Sequence, residues 1–127
     1  MRENSSEITK YIHIARENHK KGNIYQANEI YKKLINQKIY TYELLISYGL
    51  FCKEINNLKI AKNLLILSIK KYPSKINSYI LLAEILRKEN QVNDALKTLY
   101  AAKEIEKLNP DIDSNLSCLL YTSPSPR

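Results

Sequence analysis

The side chains that most often carry catalysis or bind metals are few in this chain. His13 and His19 are six residues apart, so on a helix they face different sides and lack the i, i+4 spacing of a metal-binding pair. Cys52 and Cys118 show no metal spacing, and Cys52 lies in the apolar run YGLFCKEI, where a thiol behaves as a small hydrophobe. Two glycines cannot supply a phosphate-binding loop. We therefore expect no catalytic site, no metal and no cofactor.

The net charge of +7 and the pI of about 9.3 raise the question of a nucleic-acid partner. The lysines are spread along the chain, and the abundance of Ile, Lys and Asn is typical of an A- and T-rich genome, so we do not expect nucleic acid to be bound. No apolar run reaches the ~18 residues of a membrane span. The polar start MRENSSEITK lacks the apolar stretch of a signal peptide. We expect a bacterial protein that is cytoplasmic and makes no membrane contact.

Small residues recur with a period of 34, at Ala27, Ala61 and Ala95. Other positions keep the same phase. The residues 12 positions before each alanine are small: Ala15, Gly49 and Ala83. The residues 16 positions before it are large: Tyr11, Leu45 and Tyr79. The residues four positions after it are also large: Tyr31, Leu65 and Leu99. A small residue lets two helix axes approach closely, and large residues fill the space around that contact. The pattern therefore predicts packed helix pairs.

The apolar spacing i, i+3, i+4, i+7 predicts helices near 7–20, 24–37, 42–54, 58–71, 76–88 and 92–107, an all-α fold. Gly22, Asn56 and Asn90 hold equivalent positions between paired helices, where the left-handed conformation that ends a helix favours Gly and Asn. Pro73 and Pro110 mark the points where we expect helices to have stopped.

The 34-residue unit resembles the tetratricopeptide repeat, with units at 8–41, 42–75 and 76–109. The residues that carry the resemblance are Tyr11, Ala15, Gly22, Ala27, Tyr31, Gly49, Ala61, Pro73, Tyr79, Leu82, Ala83, Ala95 and Ala102. Asn18, Leu34 and Ile39 depart from the usual pattern of the first unit. The resemblance implies antiparallel helix pairs stacked as a right-handed superhelix, and a scaffold that binds a peptide or partner protein in its concave groove. The alternative is the N-terminal recognition arm of a longer enzyme of sulfotransferase or glycosyltransferase type.

The family's groove positions, carried onto this chain, predict the partner-binding residues. They are Ile12, Arg16, His19, Lys20, Ile46, Leu50, Lys53, Ile80, Glu84 and Arg87. Ile12, Ile46 and Ile80 share one position in the unit and predict an apolar stripe for a segment with apolar anchors and some acidic residues. An equally weighted interpretation is that these isoleucines only support neighbouring helices. Ile12 and Arg16 stand where the chaperone-binding subgroup has Lys and Asn, so we do not expect binding of a chaperone tail.

The ends of the chain differ from the repeats. Residues 1–7 are expected to form a leader or cap, and 110–117 the start of a truncated next repeat. Residues 118–127, CLLYTSPSPR, lose the Ile, Lys and Asn bias, and one back-translation resembles a sequencing-library adaptor, so we expect an artefactual tail. An open end after the third unit would leave Leu96, Leu99 and Tyr100 uncovered, and we expect self-association through that face.

Overall fold

The computed structural model describes residues 5–121, and all regular structure in that range is helical. The helices are α1 (Ser5–Lys20), α2 (Ile24–Asn36), α3 (Tyr42–Glu54), α4 (Leu58–Lys71), α5 (Ile76–Lys88), α6 (Val92–Ile105) and α7 (Pro110–Tyr121). Adjacent helices pack as antiparallel pairs. Among these helices none is long and apolar enough to cross a membrane.

The six predicted helices all form, and their ends agree with the predictions to within two residues. The all-α prediction is thus confirmed. Residues 1–4 of the expected leader and 122–127 of the expected tail lie outside the described residues. The rest of the leader, residues 5–7, is the first turn of α1.

The turns between paired helices use the left-handed backbone at the predicted positions. Gly22, Asn56 and Asn90 have φ of 84°, 67° and 62°. Lys38, at φ 61°, adopts the same conformation after α2 and was not predicted. The left-handed conformation is sterically unfavourable for lysine and favourable for glycine, so the residue types of this turn do not predict it.

The chain divides into two compact units, Met1–Leu64 and Leu65–Arg127. In the first unit α1 packs on α2, and both contact α3. Its core includes the predicted small residues Ala15 and Ala27, which are completely buried and sit among larger side chains, Tyr31, Leu44, Leu45 and Phe51. The side chain of Thr41 starts α3 by accepting a hydrogen bond from the Leu44 amide at 3.2 Å.

In the second unit α5 packs on α6, and α7 covers both. Ala95 and Ala102 are completely buried, and Ala83 is nearly so. The hydroxyls of Ser68 in α4 and Ser78 in α5 form a 2.7 Å hydrogen bond between completely buried side chains. The Tyr79 hydroxyl donates to the Pro73 carbonyl at 2.7 Å, which ties α5 to the turn before it.

The helix before Pro110 has stopped, as predicted: α6 ends at Ile105. Pro110 is then the first residue of α7, where its missing N–H costs nothing. The Asn109 side chain caps this start by accepting from the Asp111 amide at 2.8 Å.

The expectation of an uncovered apolar face on α6 is wrong in part. Leu99 is completely buried, because α7 places Ile112 and Leu116 in the core of the unit. Leu96 is half-buried, and Tyr100 stays 48% exposed. The apolar face of α6 is therefore smaller than the sequence predicts, and self-association through it stays a prediction.

Candidate functional site

A groove of about 520 Å³ opens within the first unit. Its walls come from α1 and α3, and α2 supplies part of the floor. The lining residues are Arg16, His19, Lys20, Tyr31, Ile46, Ser47, Leu50, Phe51 and Glu54. A concave surface with an apolar base and a few polar groups is the usual form of a binding site.

The floor of the groove is apolar and aromatic. Phe51 is completely buried and packs on Tyr31, with ring centroids 5.3 Å apart. Tyr31 stacks in turn on Tyr48 at 5.0 Å and 13° between ring planes. Ile46 is half-buried and Leu50 is 38% exposed, so these aliphatic side chains present the accessible part of the floor. The stacked rings beneath them give a support with little freedom to rearrange.

The tyrosine hydroxyls of this floor are not acid–base groups at neutral pH. Burial raises the pKa of Tyr31 and of Tyr48 to about 12. Loss of hydration disfavours the phenolate, so both rings stay neutral. The pKa of the neighbouring Cys52 thiol is likewise raised to about 12 by burial, which leaves the sulfur in its unreactive protonated form.

Arg16 borders the groove from α1. Its Nε donates to the Ser47 hydroxyl at 3.1 Å, and its Nη2 donates to the same oxygen. Its Nη1 lies 3.6 Å from Glu43 Oε2, and the Thr9 hydroxyl donates to the other Glu43 oxygen at 3.4 Å. The guanidinium is thus fixed between α1 and α3 instead of pointing freely into solvent.

His19 and Lys20 border the groove one turn further along α1. His19 Nε2 lies 3.1 Å from Glu54 Oε1, and the imidazole meets the Phe51 ring edge-on at 5.0 Å. The Lys20 Nζ atom lies 3.8 Å from Oε2 of Glu17 on the same helix. Each of these basic side chains therefore has an acidic partner beside it.

Five predicted partner-binding residues meet in this groove: Arg16, His19, Lys20, Ile46 and Leu50. Glu54, which the sequence analysis did not select, lines it as well. The sequence did not single out Tyr31, Ser47 or Phe51 as lining residues. Tyr31 was assigned to helix packing only, and the spacing i+4 from Ser47 to Phe51 along one face of α3 is the signal that links those two.

The predicted apolar stripe is wrong at two of its three positions. Ile12 is completely buried and Ile80 is only 9% exposed, so neither side chain is accessible as an apolar anchor. Ile46 alone reaches the groove. The sequence left two interpretations of these isoleucines open, contact with a partner and support of neighbouring helices. The second interpretation fits Ile12 and Ile80.

The remaining predicted residues do not line this groove. Lys53 is half-buried on α3. In the second unit Glu84 is half-buried on α5, and the exposed Arg87 has Nη1 2.7 Å from Cys118 Sγ on α7. Within residues 5–121 there is no group of three or more His, Cys, Asp or Glu side chains able to hold a metal ion.

The described fold is that of tetratricopeptide repeat domains. No protein-family model and no curated protein matches the chain. Similar solved structures include a variant of the Thermobaculum terrenum O-GlcNAc transferase, with a TM-score of 0.81 and 20% identity over 97% of this chain and 24% of that one. The chain therefore spans about a quarter of the transferase.

Two further structures share the fold. The first tetratricopeptide repeat domain of Spaghetti (RPAP3), bound to the HSP90 peptide SRMEEVD, has a TM-score of 0.80 and 16% identity over 91% of this chain and 92% of that domain. A variant of MamA has a TM-score of 0.74 and 13% identity over 94% and 71% of the two chains. At these identities the likeness establishes the fold class, a helical-repeat architecture typical of protein–protein interaction modules.

Proposed function

We propose that this chain is a protein-interaction scaffold that holds a peptide segment of a partner protein in the groove of its first unit. The observation that carries the proposal is the accessible pair Ile46 and Leu50, set over buried aromatic rings and bordered by positioned polar groups. The similar domain that binds a peptide supports the same use of the fold.

The arrangement favours binding for two physical reasons. An apolar anchor side chain placed on Ile46 and Leu50 would release water from surface that is exposed in the free protein. The rim groups Arg16 and His19 are already held by Ser47 and Glu54, so little side-chain entropy is lost when a ligand arrives. A fixed groove with one anchor site and a polar border suits an extended or helical segment.

The acidic peptide held by the similar domain is not the ligand we propose. Ile12 stands where the chaperone-binding subgroup has Lys, and its side chain is buried. Arg16 stands where that subgroup has Asn, and its guanidinium is engaged by Ser47 and Glu43. A labelled SRMEEVD peptide is therefore a suitable negative control.

The groove is tested by selecting a displayed random-peptide library on the native chain. The double variant Ile46→Asp, Leu50→Asp replaces the accessible floor by carboxylates, and we expect it to lose at least ~10-fold in affinity for the selected peptides, since two apolar contacts worth about 1 kcal/mol or more each are removed. Ile60→Asp is the matched control, because Ile60 is 40% exposed on α4 and lies outside the groove.

The outcome is clear in either direction. Peptides that bind the native chain and Ile60→Asp but not the double variant support the groove as the binding site. Equal recovery on all three proteins, with circular dichroism showing unchanged helix content, would place binding elsewhere and refute the proposal.

A second candidate is a recognition arm within a longer enzyme of glycosyltransferase or sulfotransferase type. Its supporting observation is the likeness of nearly the whole chain to 24% of the O-GlcNAc transferase. Reading the natural gene beyond the codon for Ser117 tests it. A catalytic domain encoded there would support this candidate, and further repeats followed by a stop codon would oppose it.

A further inference from the structure

We infer that the exposed side of α4 is a second interaction surface, and that it takes an acidic helix of a partner protein. The surface consists of four residues of this one continuous helix and is called here the outer seam: Lys59, Asn63, Ile66 and Lys70. None of these residues lines the groove of the first unit, so the outer seam is available whether or not the groove binds a peptide.

Positive charge is concentrated around α4 because carboxylates are missing there. No Asp or Glu occurs among the 29 residues from Ile55 to Ala83, which include five lysines. This stretch therefore carries +5 of the formal net charge of +7. A general abundance of lysine affects the whole chain, and it does not account for the absence of acidic residues from one segment.

The helix α4 turns one side to the core and the opposite side to solvent. The buried residues follow the spacing i, i+3, i+4 and i+7 of a helix face: Ala61, Leu64, Leu65 and Ser68. The residues of the outer seam are all exposed and follow the spacing i, i+4, i+7 and i+11. The seam thus runs roughly 16 Å along the helix axis.

The spacing of the outer seam favours a helix as its ligand. Alternating steps of four and three residues are those of a coiled-coil seam, which packs along the length of a second helix. One face of an extended segment presents a side chain about every 6.6 Å, whereas the seam presents one about every 5.5 Å, so the two lose register over its length. Ile66 is 42% exposed within the seam and offers the apolar contact for one aliphatic side chain of that helix.

The lysines of the outer seam favour carboxylates on the ligand. Lys59 lies seven residues before Ile66, and Lys70 lies four residues after it. The side chains of Lys59 and Lys70 form no ion pair with any residue in the range 5–121, and α4 itself contains no acidic residue. Glutamates on either side of the partner's aliphatic residue can therefore pair with both ammonium groups without breaking an existing pair.

Other ligands fit the outer seam less well. A second copy of α4 would bring lysine against lysine in a parallel or an antiparallel pairing, and like charges repel. Helices that bind a membrane surface present a broad apolar face, whereas Ile66 stands among polar seam residues. The phosphates of a nucleic acid would leave Ile66 without an apolar contact. An acidic helix satisfies both the lysines and the isoleucine.

Three synthetic helices of equal length test the outer seam on the native chain. Each is an alanine-rich helix of roughly 21 residues, or about six turns, with a leucine at its centre. The seam positions that flank the leucine carry Glu, Gln or Lys. Affinities are measured by fluorescence anisotropy at low and at physiological salt. We expect the Glu helix to bind most tightly and the Lys helix most weakly, with the difference shrinking as salt rises.

Variants of the protein assign the preference to the outer seam. Lys59→Gln with Lys70→Gln should lower the affinity for the Glu helix by roughly threefold to tenfold, because two exposed ion pairs are lost, and should change binding of the Gln helix little. Ile66→Ser should weaken the Glu and Gln helices alike. The matched control is Lys10→Gln with Lys97→Gln, which removes the same charge from exposed positions of α1 and α6 and should leave the affinities unchanged.

A Glu helix that is weakened by both changes in the outer seam and not by the control supports the inference, provided that circular dichroism shows unchanged helix content. Equal affinity for all these proteins, or a Gln helix that binds as tightly as the Glu helix, overturns it. Unchanged affinity in Ile66→Ser also overturns it, because lysines alone attract any anion.

Two further measurements exclude other sites and other ligands. Loss of the Glu helix in Ile46→Asp, Leu50→Asp would place this peptide in the groove and overturn the inference. Vesicles of phosphatidylserine and phosphatidylcholine and a short DNA duplex are measured in parallel. If either binds more tightly than the Glu helix at physiological salt, and loses that binding in the double lysine variant, the outer seam serves a different class of ligand and the inference is wrong.

Discussion

The buried serine pair of the second unit allows a sharp test of its packing. Ser68 in α4 and Ser78 in α5 are completely buried, and their hydroxyls share a 2.7 Å hydrogen bond. The perturbation is a double-mutant cycle made of Ser68→Ala, Ser78→Ala and the two changes together.

The magnitudes follow from what each change leaves behind. A single substitution strands the other hydroxyl in an apolar environment and should cost about 1–3 kcal/mol of unfolding free energy. The lower end applies if the remaining hydroxyl turns toward a carbonyl of its own helix. The double variant leaves no stranded hydroxyl, so it should cost less than either single change. The coupling energy between the two positions is then at least ~1 kcal/mol.

Urea denaturation followed by far-ultraviolet circular dichroism measures all four proteins. Each kcal/mol of unfolding free energy lost should also lower the thermal unfolding midpoint by roughly 3–5 °C for a chain of this size. Costs that simply add in the double variant would refute the reasoning, because they would mean that the two hydroxyls do not depend on each other.

Two further predictions concern the first unit. Phe51→Ala should lower the free energy of unfolding by about 3–5 kcal/mol in urea denaturation, because a completely buried ring in contact with Tyr31 and His19 is lost. Phe51→Leu should lower it by less than half as much. Equal urea midpoints for the native protein and both variants would contradict this packing. Because burial raises the pKa of Cys52 from 9.0 to about 12, its thiol should resist alkylation at pH 8 in the native protein and react readily in urea, measured by mass spectrometry in a Cys118→Ser background. The folded state holds this proton more tightly than the unfolded state, so the stabilisation is complete below pH 9 and is lost as the pH rises toward 12; a urea midpoint that stays constant between pH 8 and 11 would argue against it.

Much of the local structure could be predicted because it depends on short-range spacing. The apolar spacing located the six helices, and the buried Ala27, Ala61 and Ala95, which recur with the 34-residue period, hold the positions predicted for close helix contacts. Asn56 and Asn90 adopt the left-handed conformation expected from their residue type. These features need only the helical period and the steric preferences of single residues.

The length of α7 shows the limit of that reasoning. The sequence placed the start of a further unit at 110–117, and α7 does begin at Pro110, where the Asp111 amide donates to the Asn109 side chain. That this helix continues to Tyr121 and covers α6 was not predicted, because residues 118–121 were assigned to an artefactual tail. The burial of Leu99 follows from that contact.

The sequence by itself determined that the chain is a series of helix pairs with small residues at their contacts. The groove positions came from the family resemblance, and the tertiary structure alone decided which of them are exposed. Ile12, Ile46 and Ile80 occupy one position in the repeat, yet only Ile46 lines the groove. Helical period fixes the direction of a side chain, whereas its exposure depends on what the neighbouring helices cover. For the same reason the pairing of Arg16 with Glu43 and of His19 with Glu54 could not be predicted before α1 and α3 were brought together.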